Sequence, residues 1–281
     1  GVSSAQMIEQ AVQTAGQADV VVAVLGEAFG MSGEAASRSM IGLLENQLQL
    51  LKALKATGKP IVLVLMNGRP LTLEWEDANC DAILETWFSG SQAGAAITSV
   101  LFGEYNPSGK LTMTFPRNAG QIPIYYNAKN TGRPMDPNNK YSTKYLDVPN
   151  TPLYPFGYGL SYTTFSYSDI KLSSSTLKPG QTLTVTITVT NTGKVDGTET
   201  VQLYLRDLVG SISRPVKELK GFQKISLQAG EAATVNFKIT VDDLKFFNAD
   251  LKYVAEPGAF KLFIGGDSHD VKDADFNYAD K

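Results

Sequence analysis

Cysteine and histidine are almost missing from this sequence, whose 281 residues include one of each, Cys80 and His269. A single cysteine excludes an intrachain disulfide, which rules out a disulfide-stapled scaffold but does not identify a cellular compartment. One cysteine and one histidine are also too few for a zinc site. We therefore expect a fold that depends on its hydrophobic core and a site that holds no metal.

Long apolar runs and basic clusters are missing as well. The longest apolar runs, such as Val20–Leu25 and Ile61–Met66, are far too short to span a bilayer. The 25 basic and 28 acidic residues are spread along the chain and give a net charge of −3, so no segment could neutralise a row of phosphates. We therefore expect neither a membrane nor a nucleic acid as a partner.

The start of the chain, Gly1-Val2-Ser3-Ser4, leads directly into a helical pattern and has none of the features of a signal peptide. We expect an excised piece of a longer protein whose targeting sequence lies upstream. The length suffices for two domains, each with its own core.

The first half of the sequence alternates helical and strand patterns. The predicted elements, in chain order, are helix Ala5–Gly16, strand Asp19–Gly26, helix Glu45–Ala56, strand Ile61–Met66, strand Ala82–Trp87 and helix Ala93–Phe102. Apolar strands separated by helices predict a parallel sheet that is covered on both faces.

From about Ser166 onward the periodicity becomes alternating. Apolar residues alternate with threonines along Leu183–Asn191, and similar alternation returns at Val201–Leu205 and Val235–Ile239 before a closing strand at Gly258–Gly265. About seven such strands, separated by turns rich in Pro, Gly and Asn, predict an immunoglobulin-like antiparallel β-sandwich.

Between the two halves lies a stretch rich in Pro, Gly, Asn and Tyr with little periodicity. Its aromatic residues argue against a floppy linker, so we expect an ordered segment packed over both domains. The sequence thus predicts an α/β domain over residues 1–123, a connector over residues 124–165 and a β-sandwich over residues 166–281.

The loop after the first predicted strand is the most informative candidate site. Ligands collect beyond the carboxyl ends of parallel strands, and this loop, Gly26–Leu44, is long, rich in glycine and carries Glu27 and Glu34. Its glycines match neither nucleotide-binding pattern, and two carboxylates would repel phosphate. A solvated surface loop is the ordinary alternative for such a segment.

Motifs spread over nearly the whole chain favour a functional role for this loop over an ordinary surface loop. They are, in order, Ser32-Gly33-Glu34 with Arg38, Asn67-Gly68-Arg69-Pro70, Glu85-Thr86-Trp87-Phe88, Asn106-Pro107-Ser108-Gly109-Lys110-Leu111, Phe115-Pro116-Arg117, Tyr154-Pro155-Phe156-Gly157-Tyr158-Gly159-Leu160-Ser161-Tyr162-Thr163 and Arg214-Pro215-Val216-Lys217-Glu218-Leu219-Lys220-Gly221-Phe222. Together they resemble the C-terminal part of the β-glucosidases of glycoside hydrolase family 3.

The resemblance implies a retaining β-glucosidase of three domains that needs no cofactor. A barrel outside this sequence would supply an aspartate nucleophile, an α/β sandwich domain would supply the general acid/base, and a fibronectin type III-like domain would end the chain. This sequence resembles the last two domains, so we expect the isolated chain to be inactive. A β-xylosidase of the same family and a non-catalytic accessory module are the alternatives.

The resemblance also assigns the site. It implies that Glu34 is the catalytic acid/base and that Ser32 and Arg38 bind substrate. Many members carry an acidic residue directly before the arginine, where this chain has Ser37. Trp87 and Phe88 end a predicted strand at the candidate site and would either stack on a sugar or pack in the core, the commoner place for a large aromatic side chain.

Glu27, in contrast, is expected to order the loop rather than to touch substrate. The expected partners are an oligosaccharide or β-glucoside, the barrel domain of the same polypeptide and, as a further option, a second copy in a homodimer. The parent protein would be periplasmic or secreted.

Overall fold

The computed structural model describes residues 3–281. The chain divides into two compact units. The first, here called the α/β unit, comprises the chain up to Phe102 together with Phe115–Ile122, and the second, the sandwich unit, comprises Gly103–Thr114 and Pro123–Lys281.

The α/β unit alternates helices with the strands of one small sheet. Its elements are α1 (Ser4–Gly16), β1 (Val21–Gly26), α2 (Glu45–Lys55), β2 (Ile61–Met66), α3 (Glu74–Asn79), β3 (Ala82–Glu85) and α4 (Ala93–Leu101). The strand order is β1-β2-β3, and both neighbouring pairs are parallel. The predicted parallel sheet is therefore confirmed.

Burial differs between the central strand and its neighbour. In β2, Ile61 and Leu63–Leu65 are fully buried, as the continuous apolar run predicts. In β1, Val22 and Val24 are 49% and 57% exposed. Within residues 3–281, one face of β1 thus lacks the cover that the sequence pattern led us to expect.

The third strand ends at Glu85, two residues before the predicted end at Trp87. The Glu85 carboxylate accepts a hydrogen bond from the Trp87 backbone N–H at 2.9 Å, and Trp87 has φ +52°. Because this left-handed conformation cannot continue a β-ladder, the chain turns out of the sheet at this point.

The sandwich unit is built on two main sheets. One has the order β10 (Ala232–Ile239), β7 (Leu183–Asn191) and β4 (Phe165–Tyr167), with the short β5 (Lys171–Leu172) also paired to β7. The other has the order β6 (Thr176–Leu177), β14 (Val271–Tyr278), β13 (Gly258–Gly265), β8 (Gly197–Asp207) and β9 (Glu218–Leu227). A single helical turn, α5 (Val241–Leu244), and a hairpin of β11 (Phe246–Phe247) and β12 (Tyr253–Val254) complete this unit.

All strand pairs of the sandwich unit are antiparallel except β6 with β14. Along β7, buried and half-buried residues alternate without a break, as its sequence predicts. Its buried apolar side chains join those of β8, β10 and β13 in one cluster. This arrangement confirms the predicted sandwich.

Two segments of the sandwich unit precede β4, Gly103–Thr114 and residues 123–164, and both are ordered without regular secondary structure. Within the sandwich unit, the Tyr126 ring stacks on Phe156 at 4.3 Å and meets the edge of the fully buried Tyr204 at 5.7 Å. Lys110 forms an ion pair with the buried Glu199 at 3.0 Å. Aromatic stacking and a buried charge pair thus hold these segments against β8.

Over residues 3–281, no helix is both long and apolar enough to cross a membrane. The same residues contain no group of three or more His, Cys, Asp and Glu side chains arranged to hold a metal ion.

Candidate functional site

Three loops leave the sheet of the α/β unit at the same edge. Because β1, β2 and β3 are parallel, their carboxyl ends meet there, with Gly26 opposite Met66 and Leu65 opposite Glu85. Glu27, Asn67 and Thr86 are the first residues beyond the three strands. This edge is where an open α/β sheet binds ligands.

Glu27 is the centre of a buried charge cluster at this edge. Its backbone N–H donates to the Met66 carbonyl at 2.9 Å and so extends the β1–β2 ladder by one residue. Its side chain is 1% exposed, and its Oε1 lies 2.8 Å from both Arg38 Nη1 and Arg69 Nε. Its Oε2 accepts the Gly68 backbone N–H at 3.1 Å.

The two arginines also hold the loop that follows Glu27. Arg69 Nη2 donates to the backbone carbonyls of Met31 and of Ala36, the latter at 2.9 Å. Arg38 Nη2 donates to the Gly42 carbonyl at 3.0 Å. A buried carboxylate thus anchors two guanidinium groups, which in turn fix the backbone on both sides of Glu34.

Ser32 lies against Gly68, beside the Phe88 ring. A Cβ added to Gly68 would collide with the Ser32 hydroxyl and with the Phe88 ring, so a glycine is needed where these loops meet. The close approach brings together one residue from each of the three loops.

Asn67 and Glu85 lie beneath this surface. Asn67 is fully buried, and its side-chain amide donates to the Arg69 carbonyl at 2.8 Å and to Glu85 Oε2 at 3.2 Å. Burial raises the pKa of the Glu85 carboxyl to about 7, and the nearby Glu27 carboxylate adds to this rise. The hydrogen bonds from Trp87 and Asn67 oppose it. Glu85 therefore titrates near neutral pH.

Trp87 is half-buried and packs on the core. Its ring lies 5.8 Å from the buried Phe115 ring, tilted by 57°. The neighbouring Phe88 is more than half exposed. Of the two aromatic residues at this strand end, Trp87 thus packs inward and Phe88 is the one presented to solvent.

Glu34 differs from Glu27 in its exposure, its backbone setting and its partners. It lies in a tight turn between Gly33, with φ +114°, and Ala35, with φ +57°. Its side chain is exposed, and no group in residues 3–281 forms a hydrogen bond or ion pair with its carboxylate. The loop therefore presents one free carboxylate and keeps the other buried.

The structure brings Ser32, Arg38 and Trp87 to one edge of the sheet, and Glu34 lies on the loop that Arg38 holds. The expectation that Glu27 orders the loop agrees with its contacts. Sequence reasoning gave no role to Arg69, Asn67 or Glu85. Asn67 and Glu85 lie at the ends of the apolar strands β2 and β3, and that position was a signal that could have identified them. Arg69 lies three residues beyond β2 and had no such signal.

Comparison with known protein families identifies the family of this chain. The family model described as the glycosyl hydrolase family 3 C-terminal domain matches residues 2–162, more than half of the chain. The chain belongs to glycosyl hydrolase family 3. A second model, the fibronectin type III-like domain, matches residues 199–268 within the sandwich unit. Both matches confirm the predicted fold class, an α/β domain followed by a fibronectin type III-like sandwich.

Similar proteins of known activity support this family membership. The chain is 59% identical over 272 residues to a periplasmic β-glucosidase of Salmonella typhimurium, covering 96% of this chain and 36% of that protein. It is 45% identical over 259 residues to a β-xylosidase of Formosa agariphila, covering 92% of this chain and 35% of that protein.

A crystal structure of β-glucosidase from Listeria innocua in complex with glucose superposes with a TM-score of 0.94 at 44% identity. The match covers 99% of this chain and 39% of that one. The chain thus spans little more than a third of the length of these relatives.

Proposed function

We propose that this chain is the C-terminal part of a retaining exo-β-glucosidase, in which Glu34 is the general acid/base. The similarity to two β-glucosidases supports the activity. The contrast within the loop supports the residue. The Glu34 carboxylate is exposed and unpaired within residues 3–281, whereas Glu27 is buried against two guanidinium groups.

The chemistry needs a carboxyl that changes its protonation state twice. In the first step Glu34 donates its proton to the oxygen of the leaving group while a nucleophile attacks the sugar. In the second step the Glu34 carboxylate takes a proton from the water that releases the sugar. A carboxylate fixed between two guanidinium groups, as in Glu27, could not make these transfers, so we assign it no acid/base role.

Retaining cleavage also needs a second carboxylate about 5–5.5 Å from the acid/base. We propose that a barrel domain of the same polypeptide supplies it, since the relatives are far longer than this chain. In that assembly Ser32, Arg38 and Trp87 would lie beside the bound glucoside. The proposed location is the periplasm, as for the Salmonella relative.

The test is Glu34→Ala in the full-length protein. The value of kcat/KM for a glucoside with a poor leaving group should fall by about 10²–10⁴-fold, and that for dinitrophenyl glucoside should change little, because only the former needs an acid. Azide should restore turnover and give β-glucosyl azide. Near-normal hydrolysis of cellobiose by Glu34→Ala would contradict the assignment.

A β-xyloside is the second candidate substrate, because the Formosa relative is a β-xylosidase. Parallel assays with nitrophenyl β-glucoside and β-xyloside separate the two. A higher kcat/KM for the xyloside would replace glucose by xylose without changing the role of Glu34.

An accessory carbohydrate-binding module is the rival of another class. The observation in its favour is an exposed aromatic pair on the β11–β12 hairpin, where the rings of Phe247 and Tyr253 lie 4.9 Å apart. The 281-residue chain should bind cello-oligosaccharides weakly or not at all. Micromolar binding that Phe247→Ala abolishes would favour the module.

A further inference from the structure

We propose that Glu27 is a positioning residue that holds the Glu34 loop in its working geometry through Arg38 and Arg69. This inference rests on the proposed acid/base role of Glu34. It begins with the backbone of Glu27, which is part of the sheet because its N–H bonds to the Met66 carbonyl at 2.9 Å. The Glu27 side chain therefore starts from a rigid point, whereas Glu34 lies on a turn.

The two guanidinium groups transmit that rigidity. Each has one nitrogen 2.8 Å from Glu27 Oε1 and another nitrogen on a loop carbonyl. The guanidinium group is planar and presents its donors in a fixed fork, so fixing one edge of the plane fixes the other. Arg69 reaches Met31 and Ala36, which bracket Glu34, and Arg38 reaches Gly42 farther along the loop.

Charge makes this arrangement depend on Glu27. The two arginine side chains are only 17% and 19% exposed, and their charges face the same carboxylate. Without that negative charge, two neighbouring partly buried cations would repel each other and turn toward water. The carbonyls of Met31, Ala36 and Gly42 would then lose their donors, and the turn that carries Glu34 would loosen.

The geometry also explains why the loop needs outside support. Gly30 and Gly33 both adopt positive φ, as does Ala35, where a side chain makes this conformation unfavourable. Within residues 3–281, the Glu34 side chain has no hydrogen bond or ion pair that would hold it. Order at Glu34 must therefore come from its backbone, and the arginine bonds on both sides supply it.

The first measurement is loop order in the 281-residue chain. Glu27→Gln keeps the size of the side chain but removes its charge, and Glu9→Gln on the exposed face of α1 is the matched control. Hydrogen exchange within residues 28–42 should become about tenfold faster or more in Glu27→Gln, with β2 unchanged. The control should match the original chain. Unchanged exchange in the loop would overturn the proposal, whatever the role of Glu34.

The second measurement compares substrates with poor and good leaving groups in the full-length Glu27→Gln variant. A displaced acid should lower kcat/KM for methyl β-glucoside by about 10²-fold, and that for dinitrophenyl glucoside by less than about threefold. A purely structural loss of folded protein would lower both values equally, and that result would overturn the proposal.

Arg69→Lys provides a milder variant should Glu27→Gln fold poorly. A lysine keeps the positive charge opposite Glu27 but cannot reach the carboxylate and two carbonyls together. The same leaving-group pattern should appear, with a loss of about tenfold. If Glu34→Ala shows that pattern but the Glu27 and Arg69 variants do not, the proposed function stands and this inference is wrong.

Discussion

The sandwich unit closes its apolar core within the chain, whereas the α/β unit leaves part of its apolar surface open. In the sandwich, every second residue of β7 is buried, and the apolar side chains of both sheets form one cluster. In the α/β unit, Val22 and Val24 of β1 are exposed, and the apolar helix α4 has no buried residue. A closed core needs no partner, whereas exposed apolar faces are typical of surfaces that bind one.

The same contrast extends to chemistry. The α/β unit concentrates charge and strained backbone at one edge of its sheet, around Glu27 and Trp87. In β7 of the sandwich unit, four threonines alternate with the buried apolar residues, and the one buried polar side chain is that of Asn191. The candidate site described above lies at that edge of the α/β unit.

The largest expected effect follows from that division. The 281-residue chain alone should not hydrolyse aryl β-glucosides, because covalent catalysis needs a nucleophile that we assign to another domain. Nitrophenyl release by the purified chain should equal that of its Glu34→Ala variant. Turnover that Glu34→Ala removes would mean that the chain itself contains the nucleophile.

A cavity in the sandwich core should be the next largest effect. Phe260 is 1% exposed and stacks on Phe276 with ring centroids 5.4 Å apart. Phe260→Ala should lower the free energy of unfolding of the sandwich unit by about 3–5 kcal/mol. Phe222→Ala, at a mostly exposed position, is the control and should stay within about 0.5 kcal/mol.

The tryptophans tell the two units apart in this experiment. Both tryptophans of the sequence, Trp75 and Trp87, lie in the α/β unit, so their fluorescence follows that unit, whereas far-UV circular dichroism follows both. In Phe260→Ala the dichroism transition should shift to lower urea and the fluorescence transition should not. Equal shifts would show that the units unfold as one.

The pH dependence of the α/β unit should come next. The pKa of Glu85 is raised from 4.5 to about 7 in the folded chain, so the folded state keeps a proton that the unfolded state loses between these values. The free energy of unfolding should therefore fall as the pH rises from about 4.5 to 7, by roughly 3 kcal/mol from this group. Below this range the group has no effect, because both states are protonated.

Glu85→Gln should remove that decline, because the amide cannot ionise and its oxygen can still accept the Trp87 N–H. Urea unfolding followed by tryptophan fluorescence at pH 5 and pH 8 measures the difference, with Glu9→Gln as the control. A decline in Glu85→Gln as steep as in the original chain would assign the effect to another group.

The regular parts of this fold could be read from the sequence. The alternation along Leu183–Asn191 predicts β7 to the residue, and the apolar run of β2 does the same. The last strand, β14, was not predicted, because the charged residues Lys272, Asp273 and Asp275 interrupt the alternation of apolar and polar residues. Two-residue strands such as β5 are too short to show any period.

The candidate site was predictable in place but not in detail. Strand ends mark the loop of Glu34, because parallel strands bring their carboxyl ends to one edge. The charge cluster was not predictable, because Arg69 and Glu27 come from different loops and meet only through the register of β1 and β2. Likewise, no periodicity predicts that the Glu85 carboxylate accepts a hydrogen bond from the Trp87 N–H where β3 ends.

The smallest effect tests the open face directly. Val→Thr keeps the shape of the side chain but replaces one methyl group with a hydroxyl, which costs about 1–3 kcal/mol where it is buried without a partner and little in water. Val185 of β7 is fully buried and Val24 of β1 is 57% exposed. Val185→Thr should therefore destabilise the sandwich unit by about that amount, and Val24→Thr should change the α/β unit by less than about 0.5 kcal/mol.

Urea unfolding followed by dichroism and fluorescence measures the two. If Val24→Thr costs as much as Val185→Thr, the face of β1 is covered in solution. A cost that grows with protein concentration would then identify a second copy of the chain as the cover, because a dimer interface is populated by mass action.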